Sequence, residues 1–402
     1  MENLRIVIVT SGLVAIPITK GGAIESLITN LINMNEKERK FSFKVFTCFD
    51  KESQSFSKTY EYTDFIYYNK LHKNNLKYKL WAVIYYICRF VRIDIPKYHY
   101  IFEIYQKIKE MNFDYVIVEE GDPWAFNFIA KKIGRNKMIF HSHSELIVDN
   151  YFERNFEYII SCSRYISDFN VKNSKKYIDK SFTLLNCINE DLFSKRISYA
   201  DSTKIKKRLE ITNSDFVFLF IGRISQDKGV LELIKAWNNF PHSNMKLLII
   251  GSALLSHETL TPYEELVKNE ISISTNVIQT GYIPQKELYQ YHQIADVFIA
   301  PSMREAAGLM NIEAMYSGLP IISVKNGGIP EYLDNNRNAI LIDSYNDIVA
   351  LSNAMLSLYQ NQEMRKIISK NNFEDCEKFS IANYYKNFNN IMNIISNQKN
   401  QK

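Results

Sequence analysis

No stretch of the 402 residues is apolar for long enough to cross a membrane. The longest apolar run extends from Trp81 to Cys88 and ends at Arg89, whereas a spanning helix needs about 20 such residues. The apolar run Ile6 to Val9 is too short for a signal peptide, so we expect it to form a strand. These features favour a cytoplasmic protein.

Cysteine is also sparse. The five cysteines are scattered, and none forms a Cys-x-x-Cys pair or a Cys/His spacing typical of metal sites. We therefore expect reduced, buried thiols rather than a disulfide framework. No recognisable nucleic-acid-binding module is present, and we do not expect nucleic acid to be a partner.

Positive charge is concentrated in the first half of the chain. Residues 1–180 contain 27 Lys and Arg against 21 Asp and Glu, a net charge of +6, whereas the remaining residues carry −1. Such an asymmetry bears on the partners of the first half, because a basic surface attracts anionic molecules and membranes.

Short apolar runs alternate with helical patterns along the chain, which indicates parallel sheets with crossover helices. The length favours two domains. We predict an α/β protein of two Rossmann-like, doubly wound domains, residues 1–185 and 186–383, with a C-terminal helix from about 384 to 402 packing back on the first. Ligands of such sheets bind beyond the carboxyl ends of the strands, so we expect an interdomain cleft between two facing sheets.

The most informative segment begins at Pro301, directly after the predicted strand Val297 to Ala300, and contains Glu305 and Glu313. Gly308 is expected to open a helix whose first free amides, those of Gly308, Leu309 and Met310, would hold a diphosphate. Glu305 would lie on the loop before that helix and face the reacting group. Glu313, about one and a half turns into the helix, would accept hydrogen bonds from ribose hydroxyls.

This segment resembles the E-x7-E signature of the retaining glycosyltransferases of family 4, which have the GT-B fold. Three further motifs are similar to those of the family: Phe220 to Gly229, which includes Gly222, the turn Gly281-Tyr282-Ile283-Pro284, and Asn326 to Glu331. The resemblance is close from Asn186 to Asp343. It implies that Gly281, Tyr282 and Ile283 lie beside the nucleotide base and that Glu305 positions groups electrostatically rather than acting as a nucleophile.

Arg223 and Lys228 are the cations that suit this chemistry. Negative charge grows on the leaving phosphate as the glycosidic bond breaks, and fixed cations stabilise that charge in the transition state. The sequence lacks the Asp-x-Asp triplet typical of metal-bound nucleotide sugars. We therefore predict a metal-independent enzyme with no cofactor.

The first half carries weaker signals. The family has a glycine pair near the donor phosphate, and Lys20-Gly21-Gly22 resembles it. His143, with His141 as the second choice, resembles the family's active-site histidine and would bond the donor sugar. We also predict that Glu119 and Glu120, which follow a strand, line the acceptor site together with His141. No companion Cys/His cluster supports metal binding by the two histidines.

Residues 71–109 interleave lysine and arginine with aromatic residues. Such helices either lie on an anionic bilayer or bury their aromatic stripe in the domain core, and the sequence leaves both alternatives open. The first would place the protein at the inner face of the cytoplasmic membrane.

Together these features predict a retaining transferase that moves a sugar from a nucleotide diphosphate donor, UDP-sugar favoured, to a glycan, lipid-linked or protein-linked acceptor. Bacterial surface polysaccharide or glycoconjugate synthesis would be its setting. The alternatives are a nucleotide-sugar epimerase or phosphorylase on the same fold, or a non-catalytic subunit that binds a glycan or a partner.

Overall fold

The computed structural model describes residues 3–12, 14–19, 21–68, 75–241, 243–253 and 260–400. The chain divides into two compact units. The N-terminal unit contains Met1–Asn186 and Ile381–Lys402, and the C-terminal unit contains Cys187–Ser380. The division therefore falls one residue after position 185, and the chain rejoins the first unit at Ile381 rather than near residue 384.

The N-terminal unit is built on a parallel sheet of seven strands in the order β3-β2-β1-β4-β5-β6-β7. Its strands are β1 (Leu4–Val9), β2 (Phe41–Cys48), β3 (Thr63–Tyr68), β4 (Tyr115–Glu119), β5 (Met138–Ser142), β6 (Tyr158–Ser161) and β7 (Ser181–Thr183). Its helices up to residue 186 are α1 (Ala23–Glu38), α2 (Lys51–Ser57), α3 (Leu76–Phe90), α4 (His99–Ile108), α5 (Asn127–Ile133), α6 (Asn150–Asn155) and α7 (Arg164–Val171).

The C-terminal unit repeats the plan with six parallel strands in the order β10-β9-β8-β11-β12-β13. Its strands are β8 (Phe216–Ile221), β9 (Met245–Ile250), β10 (Val277–Gly281), β11 (Val297–Ala300), β12 (Ile321–Val324) and β13 (Ile340–Ile342). Its helices are α8 (Glu190–Phe193), α9 (Tyr199–Arg208), α10 (Val230–Trp237), α11 (Pro262–Ser272), α12 (Gln285–His292), α13 (Leu309–Tyr316), α14 (Ile348–Gln360) and α15 (Gln362–Asp375).

The last helix, α16 (Ile381–Asn400), returns to the N-terminal unit and packs against α1. The buried Asn35 amide joins three segments: it bonds both backbone groups of Phe41, at 3.0 and 3.1 Å, and accepts a hydrogen bond from the Tyr385 hydroxyl at 2.7 Å. Phe388 of α16 packs edge-on against Phe41 at 5.3 Å. One polar and one apolar contact therefore hold the C-terminal helix against the N-terminal unit.

The central strands are apolar because helices cover both faces of a parallel sheet. In β8 every residue after Phe216 is buried, and in β1 the last four residues are buried. The strand order reverses direction between β1 and β4 and again between β8 and β11. These switch points are where open α/β sheets bind ligands. The predicted fold class, two doubly wound parallel-sheet domains, is confirmed.

The basic aromatic segment divides into two helices that differ in burial. Residues 71–74, including Lys73, lie outside the described residues. Helix α4 buries Ile101, Ile104 and Ile108, as expected for an amphipathic core helix. Helix α3 buries none of its residues. The core alternative therefore holds only in part for α4, whose aromatic side chains are partly buried, and is wrong for α3.

None of the helices in the described ranges has both the length and the apolar composition needed to cross a bilayer. All five cysteines are free thiols. Cys162, Cys187 and Cys376 are buried, whereas Cys48 and Cys88 are partly exposed, so the expectation of buried thiols holds for only three of them.

Candidate functional site

Two loops at the carboxyl ends of neighbouring strands in the C-terminal unit lie directly against each other. Gly229 ends the loop after β8 with a φ of +67°, and a Cβ atom there would lie 2.1 Å from the carbonyl oxygen of Pro301. The amide of Met303 donates to the carbonyl of Asp227 at 2.8 Å. Only glycine permits this backbone conformation and this approach without strain.

This contact brings Lys228 to Glu305. The Lys228 Nζ atom lies 2.5 Å from Glu305 Oε1, and the Ser302 hydroxyl donates to the same oxygen at 3.0 Å. Both charged side chains are about one fifth exposed, so the pair is accessible yet shielded from bulk water. The structure therefore brings together two of the predicted catalytic residues.

Arg223 is placed differently. It lies at the start of the same loop, two thirds exposed, and pairs with Asp227 at 3.2 Å. No contact among the described residues joins it to Glu305. The amide of Gly222, the residue before it, donates to the carbonyl of Ile250 at 3.0 Å, which continues the sheet pairing past the end of β8. Arg223 is thus an exposed cation beside the Lys228 pair.

The helix that follows Glu305 begins as predicted. Gly308 has a φ of +68° and precedes the first helical residues, Leu309 and Met310, and no side chain caps the helix. The Tyr332 hydroxyl donates to the Gly308 carbonyl at 3.1 Å, and a Cβ at Gly308 would lie 2.4 Å from that hydroxyl. Tyr332 therefore holds the amino end of α13 in place.

Glu313 is a buried carboxylate inside α13. Its side chain is almost fully enclosed, and Gln285 donates a long hydrogen bond of 3.5 Å to Oε1. In the described part of the chain, Oε2 has no hydrogen-bond partner. Burial raises the pKa of Glu313 to about 8. A buried oxygen without a donor is costly, and hydroxyl donors from a ligand would satisfy it.

The turn predicted to lie beside a base leads directly to this carboxylate. Gly281 ends β10 with a positive φ, and its carbonyl accepts a hydrogen bond from the Gly251 amide at 2.9 Å. Tyr282 is 42% exposed. Ile283 follows it, and Gln285, two residues further on, contacts Glu313. Gln285 therefore links this turn to the buried carboxylate.

In the N-terminal unit, three predicted residues form a single cluster. Glu119 ends β4 and His141 lies in the neighbouring β5, so the parallel register brings them side by side. Glu119 Oε2 lies 2.9 Å from His141 Nδ1 and 3.1 Å from His143 Nε2. All three side chains are at most 7% exposed. The two imidazole centroids are 4.2 Å apart.

The cluster shifts the ionisation of its members. Burial acts to raise the pKa of Glu119, but the positive field and the hydrogen bonds of the two histidines lower it to about 2. Burial and the neighbouring His141 lower the pKa of His143. Near neutral pH the cluster therefore contains an ionised Glu119 and an uncharged His143.

Glu120 contacts the loop that follows β5. It adopts a left-handed backbone conformation, with a φ of +55°. Its two carboxylate oxygens, each at 2.5 Å, accept hydrogen bonds from the His143 amide and the Ser144 hydroxyl. Glu120 thus holds the loop after β5, and a contact with an acceptor stays a prediction.

The glycine pair of the first half lies at the start of α1. Lys20 is outside the described residues. The carbonyl of Gly22, which follows Gly21, accepts a hydrogen bond from the Ser26 amide at 3.0 Å. Glu25 is buried here, and burial, with a contribution from the charge of Glu119, raises its pKa. The glycine loop and the histidine cluster therefore belong to the same edge of the sheet.

Glu119, His141 and His143 are also a set that could ligate a metal, since their ligand atoms lie within 4.8 Å of one another. The third residue of this set, Glu119, lies more than twenty residues before the two histidines. No local sequence pattern therefore indicated it as a possible ligand beside them. Carboxylate and imidazole ligands suit zinc and similar ions.

A family model named glycosyl transferases group 1 matches residues 201–375. The matched range contains the Lys228 and Glu305 pair, the start of α13, and Glu313.

One curated relative is the alpha-monoglucosyldiacylglycerol synthase of Acholeplasma laidlawii. It is 26% identical over 228 residues, 56% of this chain and 54% of the relative. An uncharacterised glycosyltransferase of Methanocaldococcus jannaschii is 27% identical over 41% of each chain. The chain thus spans about half the length, or less, of these curated relatives.

Solved structures of glycosyltransferases share the fold over the whole chain. A glycosyltransferase from Rickettsia africae has a TM-score of 0.76 at 18% identity and covers 99% of this chain and 100% of its own. Anabaena Alr3699/HepE, solved with UDP and glucose, has a TM-score of 0.74 at 18% identity and covers 97% and 100%. These likenesses show the GT-B fold.

Several residues that build the site were not singled out from the sequence. Ser302 donates to Glu305, Gln285 to Glu313 and Tyr332 to the Gly308 carbonyl, while Glu25 lies beneath the glycine loop. Ser302 lies three residues before Glu305 and Glu25 three residues after Gly22, so closeness in the sequence was the available signal. Gln285 and Tyr332 reach the site from other helices and loops, which no local pattern indicates.

The buried Glu313 gives a pH prediction. Because its pKa is raised from 4.5 to about 8, the folded protein binds an extra proton in this interval, and stability falls as pH rises through it. The Glu313→Gln variant has no group that titrates here. The melting temperature of the variant minus that of the parent should therefore increase from pH 5 to pH 8. A difference between the two melting temperatures that stays constant over this pH range would contradict the assignment.

Proposed function

We propose that the chain is a retaining glycosyltransferase that uses a UDP-sugar and needs no metal ion. The observation that carries the proposal is the ion pair between Lys228 and Glu305. Glu305 lies three residues before Gly308, where α13 starts without a side-chain cap. A fixed ammonium group and free helix amides together suit a diphosphate whose charge increases during the reaction.

The donor would extend over one surface of the C-terminal unit. The base would lie at Gly281, Tyr282 and Ile283, and the ribose hydroxyls would donate to the buried Glu313. The partnerless Oε2 of Glu313 supports this position. The diphosphate would bond the amides of Gly308, Leu309 and Met310, with Gly222 allowing close approach of the loop after β8.

The ammonium of Lys228 can serve both the protein and the ligand. It has three N–H donors, and Glu305 accepts one of them. The other two would bond phosphate oxygens. Arg223, which is exposed at the start of the loop after β8, would add a second positive charge. These two cations would take the place of a divalent ion at the leaving group.

In the proposed reaction, the bond between the anomeric carbon and the donor phosphate breaks, and the acceptor oxygen bonds the same face of that carbon. The proton of the acceptor hydroxyl passes to the leaving phosphate. Glu305 would hold Lys228 in place, and its charge would lie near the oxocarbenium-like sugar. His143 would hydrogen-bond the sugar.

UDP is favoured as the nucleotide because HepE, which shares the fold, was solved with it. A lipid-linked acceptor is favoured for two reasons. The Acholeplasma relative is named for a glucosylated diacylglycerol. In addition, helix α3 exposes an apolar stripe on the N-terminal unit.

This stripe has the composition of a membrane-surface helix. Its exposed side chains recur at helical spacing and comprise Leu76, Leu80, Val83, Ile84, Ile87, Phe90 and Val91. The opposite side is anchored through Trp81, which packs on Phe102 at 5.3 Å. Residues 75–93 contain four basic and no acidic side chains. An apolar face with basic flanks binds anionic bilayers, so we propose peripheral attachment at the inner face of the cytoplasmic membrane.

The donor chemistry is tested by replacing Lys228. Since removal of one preorganised donor from a developing anion typically costs about 10²- to 10³-fold in kcat, we expect a loss of that size in Lys228→Gln. The assay measures UDP release from a UDP-sugar panel with a membrane lipid acceptor. The control is Lys235→Gln, an exposed lysine of α10.

Full turnover in Lys228→Gln would contradict the proposal. Release of UDP that does not depend on acceptor would favour an epimerase or hydrolytic activity instead. Loss of turnover on treatment with EDTA, restored by a divalent ion, would contradict metal independence.

The membrane contact is tested by the double variant Ile87→Ser, Phe90→Ser. Because burying each side chain is worth about 1.5–3 kcal/mol, co-sedimentation with vesicles containing phosphatidylglycerol should weaken more than about tenfold. The matched control is Ile367→Ser, Phe373→Ser, which removes an exposed pair of the same residue types from α15. Equal binding by both double variants, or no binding by the parent protein, would exclude attachment through α3.

A further inference from the structure

We infer that Glu119 is a positioning residue that fixes the orientation and protonated nitrogen of the His143 ring, while His141 holds Glu119 in place. The inference rests on the proposed function only for its kinetic consequence. It gives Glu119 and Glu120, at the end of β4, the role of holding His143 rather than that of contacting an acceptor.

One oxygen atom of Glu119 contacts both histidine rings. Glu119 Oε2 is within hydrogen-bond distance of both His141 Nδ1, at 2.9 Å, and His143 Nε2, at 3.1 Å. A carboxylate oxygen has two lone pairs and only accepts, so both ring nitrogens must donate. His141 is therefore protonated on Nδ1 and His143 on Nε2. The two neighbouring rings hold opposite tautomers when neutral.

The adjacent glutamates hold the two ends of the same residue. Glu120 Oε2 accepts the backbone amide of His143 at 2.5 Å, and Glu119 Oε2 accepts its ring N–H. The left-handed backbone at Glu120 turns the two carboxylates to these separate partners. Neither the main chain nor the ring of His143 can then rotate without breaking a charge-assisted hydrogen bond.

This arrangement determines what His143 can offer to a ligand. With its proton on Nε2, a neutral ring has an unprotonated Nδ1 that accepts hydrogen bonds. His143 would therefore accept from a sugar hydroxyl rather than donate to it. Because the cluster is shielded from water, the hydrogen bond to Glu119 is stronger than an exposed one.

A metal ion held by the same three atoms is the competing arrangement. Ligation through His141 Nδ1 would place the proton on Nε2, and a metal-bound histidine normally donates that proton to a second group. In the described structure, His141 Nε2 is buried with no hydrogen-bond partner. An unprotonated nitrogen fits this position better than an N–H group, which favours the hydrogen-bonded cluster.

The direct test is long-range ¹H–¹⁵N spectroscopy of the full chain labelled at its seven histidines. His141→Gln and His143→Gln spectra assign the two rings. We expect His143 in the Nε2–H form and His141 in the Nδ1–H form. A His143 ring protonated on Nδ1 would overturn the inference, as would one zinc ion per chain, found by mass spectrometry, that resists EDTA. This readout does not require transferase activity, so its failure is distinct from failure of the proposed function.

The kinetic test is a double-mutant cycle. Glu119→Gln keeps the shape of the side chain and removes its charge, and we expect kcat to fall about 10- to 100-fold while donor KM changes little. In a His143→Gln background the same substitution should change kcat less than about threefold, since Glu119 acts through His143. Equal losses in both backgrounds would overturn the inference. Glu110→Gln, at an exposed position of the same unit, is the control.

Discussion

The ion pair between Lys228 and Glu305 is the contact on which the candidate site of the C-terminal unit depends. It exists because the loop after β8 approaches the loop after β11 more closely than any side chain at position 229 would allow. Hydrogen bonds from Ser302 and from the loop after β12, where the Gly328 amide donates to the Glu305 carbonyl at 3.0 Å, hold the carboxylate side. Lys228 is therefore a cation whose position is fixed before any ligand arrives. Preorganised charge is effective in catalysis because it does not have to be rearranged during the reaction.

The two units have polar groups at similar positions of their sheets, but the groups differ in chemistry. Each places polar side chains at or just beyond the carboxyl ends of strands at or next to its switch point. In the C-terminal unit these are a cation, the amino end of α13 and a buried acid, which suit an anionic nucleotide. In the N-terminal unit they are the linked Glu119, His141 and His143. This cluster offers hydrogen bonds rather than positive charge, and so suits the neutral hydroxyls of a sugar or acceptor.

The sequence predicts best where a short motif follows a buried strand. The strand Val297 to Ala300 has the predicted bounds, because continuous apolar runs are typical of a central parallel strand. The edge strand β3 contains Asp64 and exposed positions, so it lacks such a run. Helices α3 and α4 have similar compositions but different burial. Composition does not reveal which apolar face finds a partner, and only the packing of α4 on the sheet distinguishes them.

Contacts between distant segments account for the rest of what was missed. Gly308 and Glu313 could be placed on their helix by counting residues, but Tyr332 and Gln285 reach them from separate elements. The Glu119 cluster is a similar case, since the pairing of β4 with β5 brings Glu119 to two histidines more than twenty residues away. Sequence motifs predict the local structure of a segment. The contacts in these sites depend instead on how distant strands and helices pack together.

A crystal structure of the protein with UDP would test the central claim most directly. The account predicts β-phosphate oxygens within hydrogen-bond distance of Lys228 Nζ and of the Leu309 or Met310 amides, with the ribose hydroxyls on Glu313. Lys228 should keep its contact with Glu305 in the complex. A nucleotide bound with its diphosphate away from both Lys228 and the amino end of α13 would contradict the account.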